Sequence, residues 1–292
     1  MTVAQLLAQA ARELRDAGVE SPDWDAELLL RSVLGWDRAA LVASPETSLS
    51  LEREAEFRRL VAERARRVPL QHLTGTQAFW KQELRVTPDV LIPRPETELL
   101  VETALELLRE RERPLIVDVG TGSGCIAIAL AAEREDAVLH ATDVSEAALA
   151  VARENARRLG LESRIAFEPG DLLEPVAAAV RGRVDLVVSN PPYVDAAERD
   201  TLAPEVRDHE PALALFPAGD ALSVYRRLVP AAAEALRPGG ALAVEIAPTL
   251  DRGVADLFES AGFEAVAVRP DLAGRPRAVL GRRPLGPGSR VG

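Results

Sequence analysis

The sequence is poor in several features that would point to particular functions. Cys125 is the only cysteine in 292 residues, so no intrachain disulfide can form. The histidines, His72, His140 and His209, are widely separated and form no cluster with metal-ligand spacing, so no metal is expected. Aromatic residues make up only 4% of the chain. The N-terminus has no basic segment followed by an apolar run, and no stretch reaches the ~20 apolar residues of a membrane span. A cytoplasmic protein without a membrane segment is expected. Clustered positive charge is also missing: the formal charge is −11. The arginines alternate with glutamates, as in Glu52-Arg53-Glu54 and Glu110-Arg111-Glu112-Arg113. Such interleaving describes solvated helix faces and predicts no stable binding to nucleic acid.

What is present is ordinary for a globular chain, with 47% hydrophobic and 28% charged residues. The length suits one large α/β domain and a smaller one. Residues 1–75 are predicted to form a small helical bundle. Leu6, Leu7, Ala10 and Leu14 recur at helical spacing before Gly18. Ser21 as N-cap and Pro22 open a second helix through Trp24, Leu28, Leu29 and Val33, which Gly35 ends. A third segment, about Leu51 to Arg67, puts Phe57, Leu60 and Val61 on one face. Residues 76–95 are predicted as a β-hairpin linker, with apolar residues from Thr76 to Ile92 punctuated by Gly75, Pro88-Asp89 and Pro93. From Glu96 an acidic helix is expected to about Arg111.

The remainder, 96–283, alternates apolar runs with helical segments. Strands are predicted at Leu115–Val119, Val138–Thr142, Arg164–Glu168, Val184–Ser189, Ala241–Ile246, Glu264–Arg269 and Arg277–Gly281. Helices include Glu146–Leu159 and Leu222–Leu236. That alternation predicts an α/β doubly wound domain with a mostly parallel sheet and ligands at the carboxyl ends of its strands. The Gly/Pro/Arg-rich tail, 284–292, is expected to be disordered.

A nucleoside site is predicted from three strand ends. Val117-Asp118-Val119-Gly120-Thr121-Gly122-Ser123-Gly124 follows an apolar strand and precedes a helix from Ile126 to Ala132. Its glycines permit sharp turns and close ligand approach. A dinucleotide fingerprint would need its third glycine at position 125, where Cys125 stands. Asp143 ends the next strand, 23 residues beyond Gly120, where a carboxylate can accept both ribose hydroxyls of a nucleoside. Asp118 and the Asp-x-Gly-x-Gly-x-Gly spacing favour S-adenosylmethionine, whose methionine end carries an ammonium and no phosphate. Gly170-Asp171-Leu172 follows the third strand. There Asp171 is expected to face the adenine amine and Leu172 the ring.

The acceptor site is predicted at Asn190-Pro191-Pro192-Tyr193, directly after Val184–Ser189. Two prolines fix φ and remove two backbone donors. The Asn190 amide oxygen and the Pro191 carbonyl can then accept both hydrogens of one substrate NH₂, and Tyr193 offers a flat face. An amide or aryl amine nitrogen is a poor nucleophile because its lone pair is delocalised. Two aligned acceptors orient it and stabilise its growing charge. Taken alone, this turn suits adenine and glutamine equally.

These residues resemble one family, the release factor glutamine methyltransferases known as PrmC or HemK. The likeness covers almost the whole chain before the tail. It includes Asp25–Leu30, Pro69–Gly75, the Ile92-Pro93-Arg94-Pro95-Glu96-Thr97-Glu98 run, the glycine loop, Asn190–Tyr193, Glu210–Leu213 and Asp271–Arg275. The resemblance implies a Rossmann-like S-adenosylmethionine-dependent methyltransferase domain. It also implies N5 methylation of the glutamine in the Gly-Gly-Gln motif of peptide chain release factors, and a helical N-terminal domain that helps dock them. The chain would act as a monomer. Carried over, Gly120, Thr121, Gly122, Ser123, Gly124, Asp143, Asp171, Leu172 and Asn190 would line the cofactor site, and Asn190, Pro191, Pro192 and Tyr193 would hold the glutamine amide. Two departures stand out. Leu172 replaces a frequent aromatic residue, and Glu245-Ile246-Ala247-Pro248-Thr249-Leu250 lacks the glycine and glutamine of many relatives. The alternatives are an N6-adenine methyltransferase acting on DNA or RNA, and a non-catalytic binding protein retaining the fold.

Overall fold

A computed structural model describes residues 1–176 and 181–285. The chain divides into two compact units, one of Met1–Thr76 with Leu202–His209, the other of Gln77–Thr201 with the chain from Glu210 onward.

The first unit is helical: α1 Val3–Asp16, α2 Pro22–Leu34, α3 Arg38–Ala43, α4 Leu51–Ala65 and α5 Leu70–Thr74, joined by the helix Pro204–His209. Thr2 and Gln5 form a reciprocal capping box that satisfies two orphan donors at the start of α1. Gly18 follows α1 at φ +75°. Ser21 occupies the N-cap of α2, but its side chain makes no capping bond. The inward face of α2 also differs from expectation: Ala26, Leu29, Leu30 and Leu34 are buried, while Trp24 is exposed and lies under the Arg38 guanidinium at 5.7 Å. An exposed indole stacked on a cation is a stable alternative to core burial. Phe57, Leu60 and Val61 of α4 point inward as predicted. The short α3 and α5 were not predicted, having too few turns to show a period. Arg64, nearly buried, donates to Asp25 at 2.7 Å and to Glu205 at 2.8 Å, and Arg67 forks onto both Glu205 oxygens at 2.7 Å.

A two-stranded hairpin comprises β1 Thr76–Phe79 and β2 Gln82–Arg85. It is shorter than predicted, because Pro88 and Pro93 cannot donate to a ladder. Val86 and Val90 instead pack against Ala148 and Val151. A 3₁₀ turn, Pro95–Thr97, leads into α6 Glu98–Leu107, which ends before the expected Arg111. The Arg111 side chain reaches Asp185 at 2.6 Å.

The second unit continues β3 Leu115–Val119, α7 Cys125–Glu133, β4 Val138–Asp143, α8 Glu146–Arg158, β5 Ile165–Pro169 and β6 Val184–Ser189. After α9, the Pro204–His209 helix of the first unit, come α10 Ala212–Leu215, α11 Ser223–Ala235, β7 Leu236–Glu245, α12 Asp251–Ser260, β8 Glu264–Pro270 and β9 Pro276–Arg282. The seven-stranded sheet has the order β5-β4-β3-β6-β7-β9-β8, parallel except for β9. All six residues of β6 are buried, as a parallel strand covered on both faces requires. The architecture is the predicted Rossmann-like α/β fold, and the strands agree with prediction to within a residue or two except β7. That strand begins at Leu236, which pairs with Val184 ahead of a register shift, and a Cβ on Gly240 would come within 2.9 Å of the Val184 carbonyl. Arg282, the last strand residue, pairs with Ala241. Of the expected disordered tail, residues 286–292 lie outside the described residues.

Candidate active site

The carboxyl ends of β5, β4, β3, β6 and β7 stand side by side in sheet order. They carry Gly170, Asp143, Gly120, Asn190 and Glu245 respectively. Register makes this adjacency close: Val119 pairs with Thr142 on one side and Ser189 on the other, and Ser189 pairs with Val244. Sequence spacing cannot show that these separate motifs converge; the parallel crossovers do it.

The glycine loop between β3 and α7 is built by backbone conformation. Gly120, Gly122 and Gly124 all have positive φ, 70°, 55° and 82°. A Cβ on Gly120 or Gly122 would meet nothing within 4 Å, whereas on Gly124 it would crowd Ala152 Cβ and Ile128 Cδ1 at 3.1 Å. The first two glycines thus leave open space beside the loop, and the third lets α7 approach α8. Gly120 and Thr121 donate their N–H groups to the Thr142 carbonyl at 2.9 and 3.0 Å. From behind, the buried Asn155 carboxamide donates to the Ser123 carbonyl at 3.0 Å and accepts from Arg85 N at 2.7 Å. Asn155 escaped sequence reasoning because a lone polar residue in a helix carries no motif.

Two carboxylates flank the loop. Asp143 accepts the Gly122 N–H at Oδ2 and the Ser145 N–H at Oδ1, both 2.9 Å. Burial raises its pKa above the ordinary value, and these backbone donors offset this only in part. Each oxygen retains a further lone pair. Asp118 is wholly buried. Its Oδ2 accepts from Thr121 Oγ1 at 2.7 Å and Ala127 N at 3.2 Å, while Oδ1 is buried with no hydrogen-bond partner. Burial pushes the Asp118 carboxyl up to about 7, against the Thr121 and Ala127 hydrogen bonds.

After β5, Leu172 adopts φ +48°, an uncommon conformation for a side chain branched at Cγ. The Thr142 hydroxyl donates to the Leu172 carbonyl at 2.7 Å and holds that turn. The Asp171 carboxylate pairs with Arg227 of α11. Asp171, Leu172 and Arg227 also line a surface cavity of about 200 Å³.

At the end of β6, Asn190 Nδ2 donates to Thr97 Oγ1 at 3.2 Å, which leaves the amide oxygen on the opposite branch. The Tyr193 hydroxyl donates to Glu245 Oε1 at 3.1 Å, and the Tyr225 hydroxyl to the Glu245 carbonyl at 2.7 Å. Burial, followed by the neighbouring Glu245, pushes the Tyr193 phenol well above its ordinary value; it stays neutral. Burial also raises the Glu245 carboxyl, and the Thr97 and Tyr193 hydroxyls and Arg277 offset this in part.

The Ile92–Glu98 run frames this corner. Ile92 N and Arg94 both bind the Glu210 carboxylate, and Glu98 accepts the Trp80 N–H at 2.7 Å. Thr97, Glu210 and Glu245 all fall within segments visible in the sequence, but their tasks there are not legible without the contacts. Among the described residues no group of three or more His, Cys, Asp or Glu side chains is placed to hold a metal ion.

Comparison with known proteins gives this geometry a context. Residues 5–75 match the family model described as PrmC N-terminal domain, and residues 95–209 the one described as methyltransferase small domain. The release factor glutamine methyltransferase of Cereibacter sphaeroides is 46% identical over 284 residues, covering 97% of this chain and 99% of that one. The enzyme of the same name from Deinococcus radiodurans is 46% identical over 283 residues, with 97% and 99% covered. This chain belongs to the release factor glutamine methyltransferase family.

Membership of the release factor glutamine methyltransferase family makes the chain a methyltransferase, and the fold is shared more widely. The catalytic domain of hMettl16 in complex with MAT2A 3'UTR hairpin 1 superposes with a TM-score of 0.57 at 15% identity, covering 78% of this chain and 82% of that one. A methyltransferase from Pyrococcus furiosus gives 0.50 at 17% identity, covering 71% and 92%. Both likenesses concern the fold alone.

Proposed function

We propose that this enzyme transfers a methyl group from S-adenosylmethionine to the side-chain amide nitrogen of the glutamine in the Gly-Gly-Gln motif of peptide chain release factors. The observation that carries the reading is Asn190. It stands one residue past the strand that pairs with β3, the strand leading into the glycine loop, with its NH₂ turned to Thr97 and its oxygen presented on the other side. Membership in the family supports glutamine as acceptor over adenine, which this turn alone would also suit. It disfavours a non-catalytic role as well.

The residues fit the cofactor. Gly120 and Gly122 leave space where a Cβ would stand, Asp143 keeps two lone pairs for ribose hydroxyls, and the buried Asp118 with its unpartnered oxygen favours a cation such as an ammonium. When bound, S-adenosylmethionine supplies an electrophilic methyl on a sulfonium. Thr121, Ser123 and Gly124 complete the loop, Asp171 and Leu172 border the adenine, and Asn190 lies between the two sites.

The remaining work is done by the acceptor turn. Asn190 Oδ1 and the Pro191 carbonyl accept the two N–H bonds of the glutamine amide, which aims the nitrogen lone pair and stabilises charge growing on it. Pro192 stiffens the turn and the Tyr193 ring supports the planar amide. Tyr193 is no base, since its phenol stays protonated far above neutral pH.

The test is peptide mapping by mass spectrometry of a release factor incubated with the enzyme and S-adenosylmethionine. One methyl group on the Gly-Gly-Gln glutamine is the expected result. Incorporation elsewhere, or into nucleic acid instead, would reject the assignment.

A further inference from the structure

We propose that Thr97 is a positioning residue for methyl transfer, holding Asn190 so that its amide oxygen, and not its NH₂, faces the acceptor nitrogen. The inference rests on the reading of Asn190 as the amide holder.

Three observations carry it. First, Asn190 Nδ2 donates to Thr97 Oγ1 at 3.2 Å, and Thr97 is almost fully buried. Second, Thr97 ends the Pro95–Thr97 turn in a helical conformation, φ −68° and ψ −18°, and its side chain makes no capping bond to α6, so the helix backbone does not engage its hydroxyl as an acceptor. Third, the neighbouring Glu245 carboxyl is buried and takes the Tyr193 hydroxyl on Oε1 at 3.1 Å. Its Oε2 is buried with no hydrogen-bond partner.

A hydroxyl has one proton and two lone pairs. Thr97 Oγ1 takes the Asn190 N–H on a lone pair, so the Asn190 NH₂ is consumed by Thr97 and its oxygen is left for the substrate. Turning the amide by 180° would break this contact unless the Thr97 hydroxyl turned with it. Glu245 takes the Tyr193 hydroxyl and so anchors that ring beside Asn190. An asparagine free to flip would spend part of its time presenting N–H to N–H, an arrangement that repels the acceptor.

The test compares Thr97→Val, Thr97→Ser, Asn190→Ala and the double variant N190A/T97V in the full-length enzyme, with a release factor and S-adenosylmethionine. T97V should lower kcat roughly 10- to 100-fold, with cofactor affinity within about twofold of wild type by calorimetry. T97S, which keeps the hydroxyl, should recover most of that loss. The double variant should be no slower than N190A alone, because Thr97 acts only through Asn190. Wild-type kcat in T97V beside a collapsed N190A overturns the positioning role and leaves the acceptor reading standing. So does a T97S as slow as T97V, or a double variant whose losses multiply. Near-normal turnover in N190A instead overturns the acceptor reading, and this inference with it. Should T97V melt below the assay temperature, Thr97→Ala, which adds no bulk, carries the same comparison with T97S.

Discussion

Gly122 donates its backbone N–H to Asp143 Oδ2 at 2.9 Å, so the glycine loop and the carboxylate at the neighbouring strand end form one braced unit. Removing the carboxylate removes both the ribose acceptor and the brace. Asp143→Ala should therefore weaken S-adenosylmethionine binding on the order of 10- to 100-fold, equivalent to one or two lost charge-assisted hydrogen bonds. Isothermal titration calorimetry reads this directly, and wild-type affinity would remove Asp143 from the cofactor site.

Asn190→Ala separates binding from chemistry. Cofactor affinity should stay close to wild type, while kcat for release factor methylation falls about 10²-fold or more, as for one lost preorganised contact. A variant that instead lost cofactor binding with kcat preserved would place Asn190 on the donor side only.

Asp118 gives a pH dependence whose sign can be worked out. Its carboxyl is raised from 3.8 to about 7, so in the folded enzyme it is largely protonated below that pH. A raised acid favours the folded state at low pH, and that contribution is lost as pH rises from the unfolded value through about 7. A cation bound nearby favours the charged form. Affinity for S-adenosylmethionine should accordingly increase several-fold between about pH 6 and pH 7.5, before the cofactor's own α-amino group, with its reference pKa of ~8, begins to deprotonate. Asp118→Asn should flatten that slope, and an unchanged slope in the variant would assign the dependence to another group.

Glu205 provides a stability test within the helical unit. Burial would raise its pKa, but the Arg67 and Arg64 hydrogen bonds outweigh this and bring it from 4.5 down to about 2. A depressed carboxylate contributes stability at pH above 4.5, and that contribution is lost as pH falls towards 2. Glu205→Ala should cost about 2 kcal/mol at neutral pH, between the values for exposed and buried pairs. The melting temperature of E205A should also fall less than that of wild type between pH 5 and pH 3. Equal acid sensitivity in both would mean that other carboxylates govern the transition.

Much of the fold is legible in the sequence because it is written in short-range chemistry. The runs Leu115–Val119 and Val184–Ser189 are parallel strands to the residue, buried apart from the half-buried Leu115, since a strand covered on both faces is a mostly apolar run in which Asp118, Asp185 and Ser189 are the exceptions. The hairpin after Thr76 is less legible: Val86, Val90 and Ile92 look like strand residues but are buried in loop. Apolar character there reports burial without reporting conformation. Trp24 shows the converse, an aromatic that the helical period counts as core but that stacks on Arg38 in solvent.

By itself the sequence determined which chemistries were available: a glycine loop with two acids for a nucleoside, and a proline-stiffened Asn190 for a planar nitrogen. These are properties of consecutive residues, and local covalent geometry is enough to express them. Only the tertiary structure decided how they meet. Parallel crossovers bring five strand ends together, and Thr97, 93 residues before Asn190 in the chain, comes to hold that side chain, while Glu245, 55 residues after it, holds Tyr193. A hydrogen-bond direction depends on which groups are within reach, and for residues so far apart along the chain the packing of the sheet sets that reach.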